Sequence, residues 1–206
     1  MHESRLHAVL TAVIDVVWLG LLWLLCSLPL LTLGAASTAL YYSMVKCVRH
    51  ERGHATSAFF RAFRQNFRQA TLLWLGCLAA LALGLGDVYA FSRMGVGPGD
   101  FLYYFSRLLL LPVPLLFPWL FAFLSRFENT LGATLRFALV LALRHAGKSL
   151  LLLLELAAGL AIAWLLPQIV PLLPGLLCLL MSFSLEPALR PLAEGQGTAE
   201  DWYREP

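Results

Sequence analysis

The thirty residues VVWLGLLWLLCSLPLLTLGAASTALYYSMV, Val16 to Val45, carry no charge. The run exceeds the roughly 18 apolar residues that cross a bilayer as a helix, and the reading of its middle decides the fold. Pro29 removes a backbone donor and Gly34 loosens the chain, so a helix entering at Val16 must kink or break there. Beyond that point Ala35, Ala39, Ser43 and Cys47 recur every four residues, a stripe of small side chains that lets helix backbones approach closely in lipid. Residues 34–48 then have two readings: an extension of the first helix into the cytoplasm, or a return arm that would put the N-terminus inside. About fifteen residues give only about 22 Å of helix, short of the roughly 30 Å hydrocarbon core, so extension is expected, with a first span of about residues 10–33.

The rest of the chain shares this character. The 206 residues are 60% hydrophobic and 13% charged, about half the charge of an ordinary soluble domain. Mean hydropathy is +0.76. Further charge-free runs extend over Gln69–Gly86, Leu108–Ser125 and Leu156–Leu185, the last broken by Pro167, Pro171 and Pro174. The expected fold is therefore an all-α polytopic membrane protein of about five transmembrane helices, over residues 10–33, 70–90, 103–124, 148–166 and 169–189, in one domain, 1–192. The small residues Gly34-Ala35-Ala36-Ser37 resemble a cleavage site, but the run before them is too long for a signal core, so it is read as a retained anchor. The four cysteines are scattered and form neither a CxxC pair nor a disulfide framework.

Orientation follows from Lys and Arg in the loops. Lys46, Arg49, Arg52, Arg61, Arg64 and Arg68 lie between the first and second spans, and Arg126, Arg136, Arg144 and Lys148 between the third and fourth. The opposite loops are nearly bare, which with an extended first helix places the N-terminus outside and the C-terminus inside. The polar tail, 193–206, is expected to be disordered in the cytoplasm, with Trp202 and Tyr203 as frayed-end residues.

SAFFRAFRQNFRQA, residues 57–70, has the clearest helical period in the chain. Phe59, Phe63 and Phe67 lie at i, i+4 and i+8, and Arg61, Arg64 and Arg68 on another face. An interfacial helix over 57–69 is expected, with its rings in the acyl boundary and its guanidinium groups at anionic headgroups, or else coupled to a partner protein. A net charge of +3 is what orientation alone demands, so nucleic acid is not an expected partner. Self-association is not legible in the sequence.

Three ionisable groups stand out within apolar segments. Asp15 lies just before the first unbroken apolar run, about two turns from the expected outer end of its span, and Glu155 interrupts SLLLLELAAGLAIAWLL near the middle of the fourth span. At mid-membrane such a group costs about 2.5–3.5 kcal/mol, so each should face protein, water or a partner charge. Glu155 is read as a relay or substrate-site residue or as a neutral core residue, with Arg107 its expected partner if a pair exists. Asp87 and Glu186, at span ends, are expected in water.

His50, Glu51 and His54 spell H-E-x-x-H, which on a helix aligns two zinc ligands beside a general base. Arg49 and Arg52 oppose a dication there by Coulomb repulsion, and no third ligand is at hand. His50 and His54 are therefore weak metal candidates in a connector, and neither a cofactor nor enzymatic activity is expected.

The order of these features, LLWLLCSLPLLTLGAASTALYYSMVKCVR, then FFRAFRQNFRQATLLWLG, then a proline-rich third span ending in SRF, resembles the YesL-like family of bacterial membrane proteins, domain of unknown function 624. Pro29, Thr32 and Gly34 with Ala39-Leu40-Tyr41, and the Phe63, Asn66, Phe67 and Trp74 pattern, carry the likeness, which covers about residues 15–190. The resemblance implies a polytopic protein of the cytoplasmic membrane, an accessory role beside carbohydrate import and no catalytic residues. Gly20 departs from it, standing where a polar Asn is expected before Trp23. The functional expectation is a non-enzymatic partner of a membrane transport system. The alternatives are a small stand-alone transporter using Glu155 and, remotely, a zinc peptidase at His50-Glu51-His54.

Overall fold

Apolar helices without backbone breakers should pack into a helical bundle, and the computed structural model shows one. It describes residues 2–95, 97, 100–108, 110–127 and 129–195, with the side chains of 2–9, 106 and 193–195 excepted. Among the described residues there are eight α-helices and no strand: α1 (His2–Ser27), α2 (Leu33–Ser43), α3 (Ala55–Arg93), α4 (Phe101–Leu108), α5 (Pro112–Leu124), α6 (Leu131–Arg144), α7 (Ala146–Leu165) and α8 (Leu173–Gly195).

The Pro29 region is a reversal. Helix α1 ends at Ser27, a single 3-10 turn spans Leu30–Thr32, and α2 returns along α1, where Trp23 donates to Ser37 at 3.1 Å. At the far end of this hairpin Trp18 donates to Thr56 at 2.8 Å, and Asp15 lies within electrostatic reach of Cys47 and His54. The expected extension of α1 through residues 34–48, and with it the span 10–33, is thus replaced by the return arm. The length argument assumed a helix facing lipid. Protein surrounds α2 instead, with Ala35, Ala36, Thr38, Ala39 and Ser43 all fully buried, so bilayer thickness does not set its length. The small-residue stripe packs as expected, and the Thr38 and Ser43 hydroxyls donate to the carbonyls of Gly34 and Ala39 one turn back.

Packing of α2 is most extensive against α3. Gly34 makes this possible, because a Cβ there would lie 2.6 Å from the Ala70 carbonyl oxygen and 2.7 Å from Trp74 Cβ. Trp74 Nε1 donates to Leu30 O at 2.7 Å, and Thr32 Oγ1 donates to Pro29 O at 2.8 Å and also to Cys26 O, so side chains satisfy carbonyls that the helix break leaves open. Pro29, Thr32, Gly34 and Trp74, four of the residues that carry the family resemblance, thus build the reversal.

Helix α3 is continuous over 39 residues, about 58 Å at 1.5 Å per residue, so the expected interfacial helix 57–69 and span 70–90 are one element. Neither Gly nor Pro interrupts it before Gly76. The basic half is not a separate helix, and one side of it is buried at Ala55, Ala58, Phe59 and Ala62. Phe59 is 0% exposed and stacks on half-buried Phe63 at 6.2 Å, which removes it from the expected lipid-facing stripe.

The expected third span, 103–124, is divided between α4 and α5. Pro112 lacks the N–H that would continue a helix through it, and Leu110 and Leu111 instead make turn bonds to Arg107 and Leu108. The segment read as a loop after Ser125 contains α6, which Thr130 caps by accepting from the Ala133 N–H. Its Thr134, Ala138, Leu141 and Ala142 face the core with helical period, while Phe137 stacks on Phe123 of α5. Helices α7 and α8 occupy the last two expected spans. Gly20 and Gly175 meet where α1 crosses α8, and a Cβ on Gly20 would lie 2.8 Å from Pro171 O, which accounts for glycine at that position. The tail expected at 193–206 begins within α8, and its remainder, with Trp202 and Tyr203, lies outside the described residues.

Trp74→Phe, which leaves the Leu30 carbonyl without its donor, is expected to cost about 1–3 kcal/mol of stability. Gly34→Val should cost more, because backbone rather than a flexible side chain blocks the new methyls. Thermal unfolding in detergent checks both, and an unchanged midpoint for Gly34→Val would contradict the close packing.

Candidate functional site

The last turn of the return arm is a π-helix, Met44–Arg49, which leads into the loop holding the H-E-x-x-H triplet. A π turn widens the helix by one residue and re-aims the side chains that follow it. Here it carries Arg49 onto α8, where Nη1 donates to Ser182 O at 2.9 Å and the guanidinium stacks 4.6 Å from the Phe183 ring centroid. Residues 50–54 are not helical: Glu51 has φ 53° and Gly53 φ 76°, both left-handed. His50 and His54 therefore lack the shared helix face on which the zinc reading depends. No group of three His, Cys, Asp or Glu side chains able to hold a metal occurs among the described residues.

The polar centre lies nearby, on α2, α8 and the turn that follows α5. Glu186 accepts from Tyr41 Oη at 2.8 Å with one carboxylate oxygen and pairs with Arg126 through the other. The Arg126 and Glu186 side chains are only 5% and 13% exposed, so this pair is desolvated on both sides. Burying two charges is costly, and the attraction offsets that cost only where geometry and extra hydrogen bonds allow; the Tyr41 hydroxyl supplies one such bond. Sequence reasoning assigned Glu186 to water and did not connect it with Arg126. The available signal was opposite charge at the ends of two apolar segments that share the basic side.

Other expected residues are placed as follows. Asp15 is half-buried and lies within electrostatic reach of Cys47 and His54. Glu155 is half-buried on α7, and its buried Oε2 has no hydrogen bond among the described residues. Arg107 is not its partner: it donates to Tyr103 O at 2.9 Å and lies over the Tyr103 ring on its own helix. Arg61, Arg64 and Arg68 are exposed along α3, together with Phe60 and Phe67. Above the polar centre is an apolar cavity of about 290 Å³, bounded by Trp23, Tyr41, Phe121, Gly159, Cys178 and Met181 among others. Tyr41 joins the two features, with its ring in the cavity wall and its hydroxyl on Glu186.

The fold defines an all-α polytopic membrane protein in which, among the described residues, four helices, α1, α3, α7 and α8, are long and apolar enough to cross a bilayer. Residues 16–88 match the family described as Protein of unknown function, DUF624, in agreement with the resemblance over that segment. The match takes in the reversal, α2 and most of α3. No curated protein and no solved structure gives a significant match.

Arg126→Met should lose about 3–5 kcal/mol by leaving Glu186 buried without a counter-charge, and adding Glu186→Leu should restore most of it. Equal losses in the single and double variants, measured by thermal unfolding, would contradict a coupled pair. Outside the spans, burial and then Arg49 hold the His50 imidazole below its usual 6.5, aided by Arg126 and Arg52 and opposed by Glu186. The unfolded chain binds that proton more readily, so stability falls as pH drops through 6.5 toward the folded-state value. His50→Gln should flatten this part of the acid limb in a stability-versus-pH series.

Proposed function

We propose that this protein is a non-enzymatic, multi-pass component of the bacterial cytoplasmic membrane that works by association with a membrane transport system. The observation that supports this reading is the first half of α3. Its Ala55, Ala58, Phe59 and Ala62 are buried in the core, while Arg61, Arg64, Arg68, Phe60 and Phe67 are exposed. Lipid headgroups account for the arginines by themselves, but an exposed basic and aromatic face held rigid by the core is also what a partner's acidic surface would engage. The ionisable groups at the polar centre are tied to one another, which favours a structural role over a reactive one. Carbohydrate import is the substrate class suggested by the family resemblance.

The basic end is read as cytoplasmic. Because the return arm carries the N-terminal part of α1 to that same end, an inside N-terminus replaces the outside one expected from a continuous helix. The Arg126–Glu186 and Arg49–Ser182 contacts bring the second half of α8 there as well, which agrees with an inside C-terminus. The stand-alone transporter remains the alternative, favoured by the unsatisfied Glu155 Oε2. The zinc peptidase reading loses its helical basis.

Affinity purification from native membranes in mild detergent tests the proposal. A polytopic transport protein should co-purify in fixed ratio, and Arg61→Glu, Arg64→Glu and Arg68→Glu together should release it without unfolding the chain. A chain that migrates alone contradicts association, and liposome uptake abolished by Glu155→Gln supports the alternative.

A further inference from the structure

The cavity is a site that neither the polar centre nor the α3 surface uses. Its wall is almost wholly apolar: Ser37 and Tyr41 bring hydroxyls, and both are engaged, Ser37 by Trp23 and Tyr41 by Glu186. At about 290 Å³ it has roughly twice the volume of an engineered apolar cavity of ~150 Å³ that stays dry and takes up benzene. An apolar space of this size offers water no partners, and left empty it forfeits dispersion contacts along its whole lining. An apolar occupant is therefore favoured.

The mouth determines which occupant. The floor, made by Tyr41, Phe121, Cys178 and Met181, is buried, while the opening lies beside Leu160, which is 73% exposed. The outer face of α7 around it is apolar, with Leu154 at 59% and Trp164 at 87% exposed. Helix α7 is long and apolar enough to span the bilayer, so the opening faces hydrocarbon, not water. Gly159 lets α8 approach at this point, since a Cβ there would meet the Leu177 side chain.

We infer that this cavity binds one acyl chain of a bilayer lipid, inserted laterally between α1 and α7 and ending on the Tyr41 ring. The bilayer supplies such chains at high concentration at the mouth, and the lining asks of its ligand only shape and apolarity. Through Tyr41, the end of the chain touches the residue that holds Glu186, so occupancy and the ion-pair centre share one side chain. This site does not depend on the proposed transporter association.

Full-length protein in vesicles of phosphatidylethanolamine and phosphatidylglycerol, doped with a phospholipid bearing a diazirine on its acyl chain, provides the test. Photolysis followed by peptide mapping should place adducts on the floor residues Cys178 and Met181 as well as on the exterior of α7. Ala163→Phe, at a half-buried position of the lining, should abolish the floor adducts and leave those at Leu154 and Trp164. Wild-type adducts confined to the exterior would overturn the inference, whatever the variant does. So would floor labelling by a chainless apolar diazirine where the lipid probe gives none, since that would make the cavity a small-molecule pocket.

Discussion

The close approach of Gly34 to α3, fixed by the Trp74 indole on the Leu30 carbonyl, is the constraint on which the rest of the structure depends. In hydrocarbon a helix cannot simply stop, because the carbonyls it exposes find no water. Here Thr32 and Trp74 take up that role, and the missing side chain at Gly34 lets α2 turn back into the space between α1 and α3. Once α2 is central, its small residues become necessary on every side, and α3, α5 and α8 pack around it.

The return arm also explains where the charges lie. It ends in the π turn that delivers Arg49 to α8, and along its length it presents Tyr41 to Glu186. Arg126 closes that centre from the turn that follows α5. Three elements distant in sequence are thereby joined at one end of the bundle by a desolvated ion pair, an arrangement whose value lies in specifying how the helices dock as much as in net stability. The apolar cavity sits directly on this joint.

The helical membrane class, the last two long apolar helices and the burial of the small-residue stripe were legible in the sequence, because composition and period carry them. The reversal at Pro29 was visible as a break, but its direction was not: whether a fifteen-residue apolar segment continues or returns depends on what surrounds it, and that is tertiary information. The same limit applied to Phe59, whose face of α3 reads as lipid-exposed but is buried in the bundle, and to α6, whose arginines at 136 and 144 disguised a helix with one core-facing stripe. Glu186 was misplaced because its partners lie 60 and 145 residues away.

The direction of the chain after Pro29 decides both the packing around α2 and the side on which the N-terminus lies. Trp18 and Thr56 meet in the folded-back arrangement, whereas a helix running on from Trp18 would carry Val48, eight residues before Thr56, about 45 Å away. Cysteines at these two exposed positions, in a chain whose four native cysteines are replaced, can be challenged with a short bis-maleimide in native membranes. Efficient intramolecular bridging is the predicted result. Full labelling of both thiols by a monofunctional maleimide, with no bridge formed, would contradict the return arm and the architecture built on it.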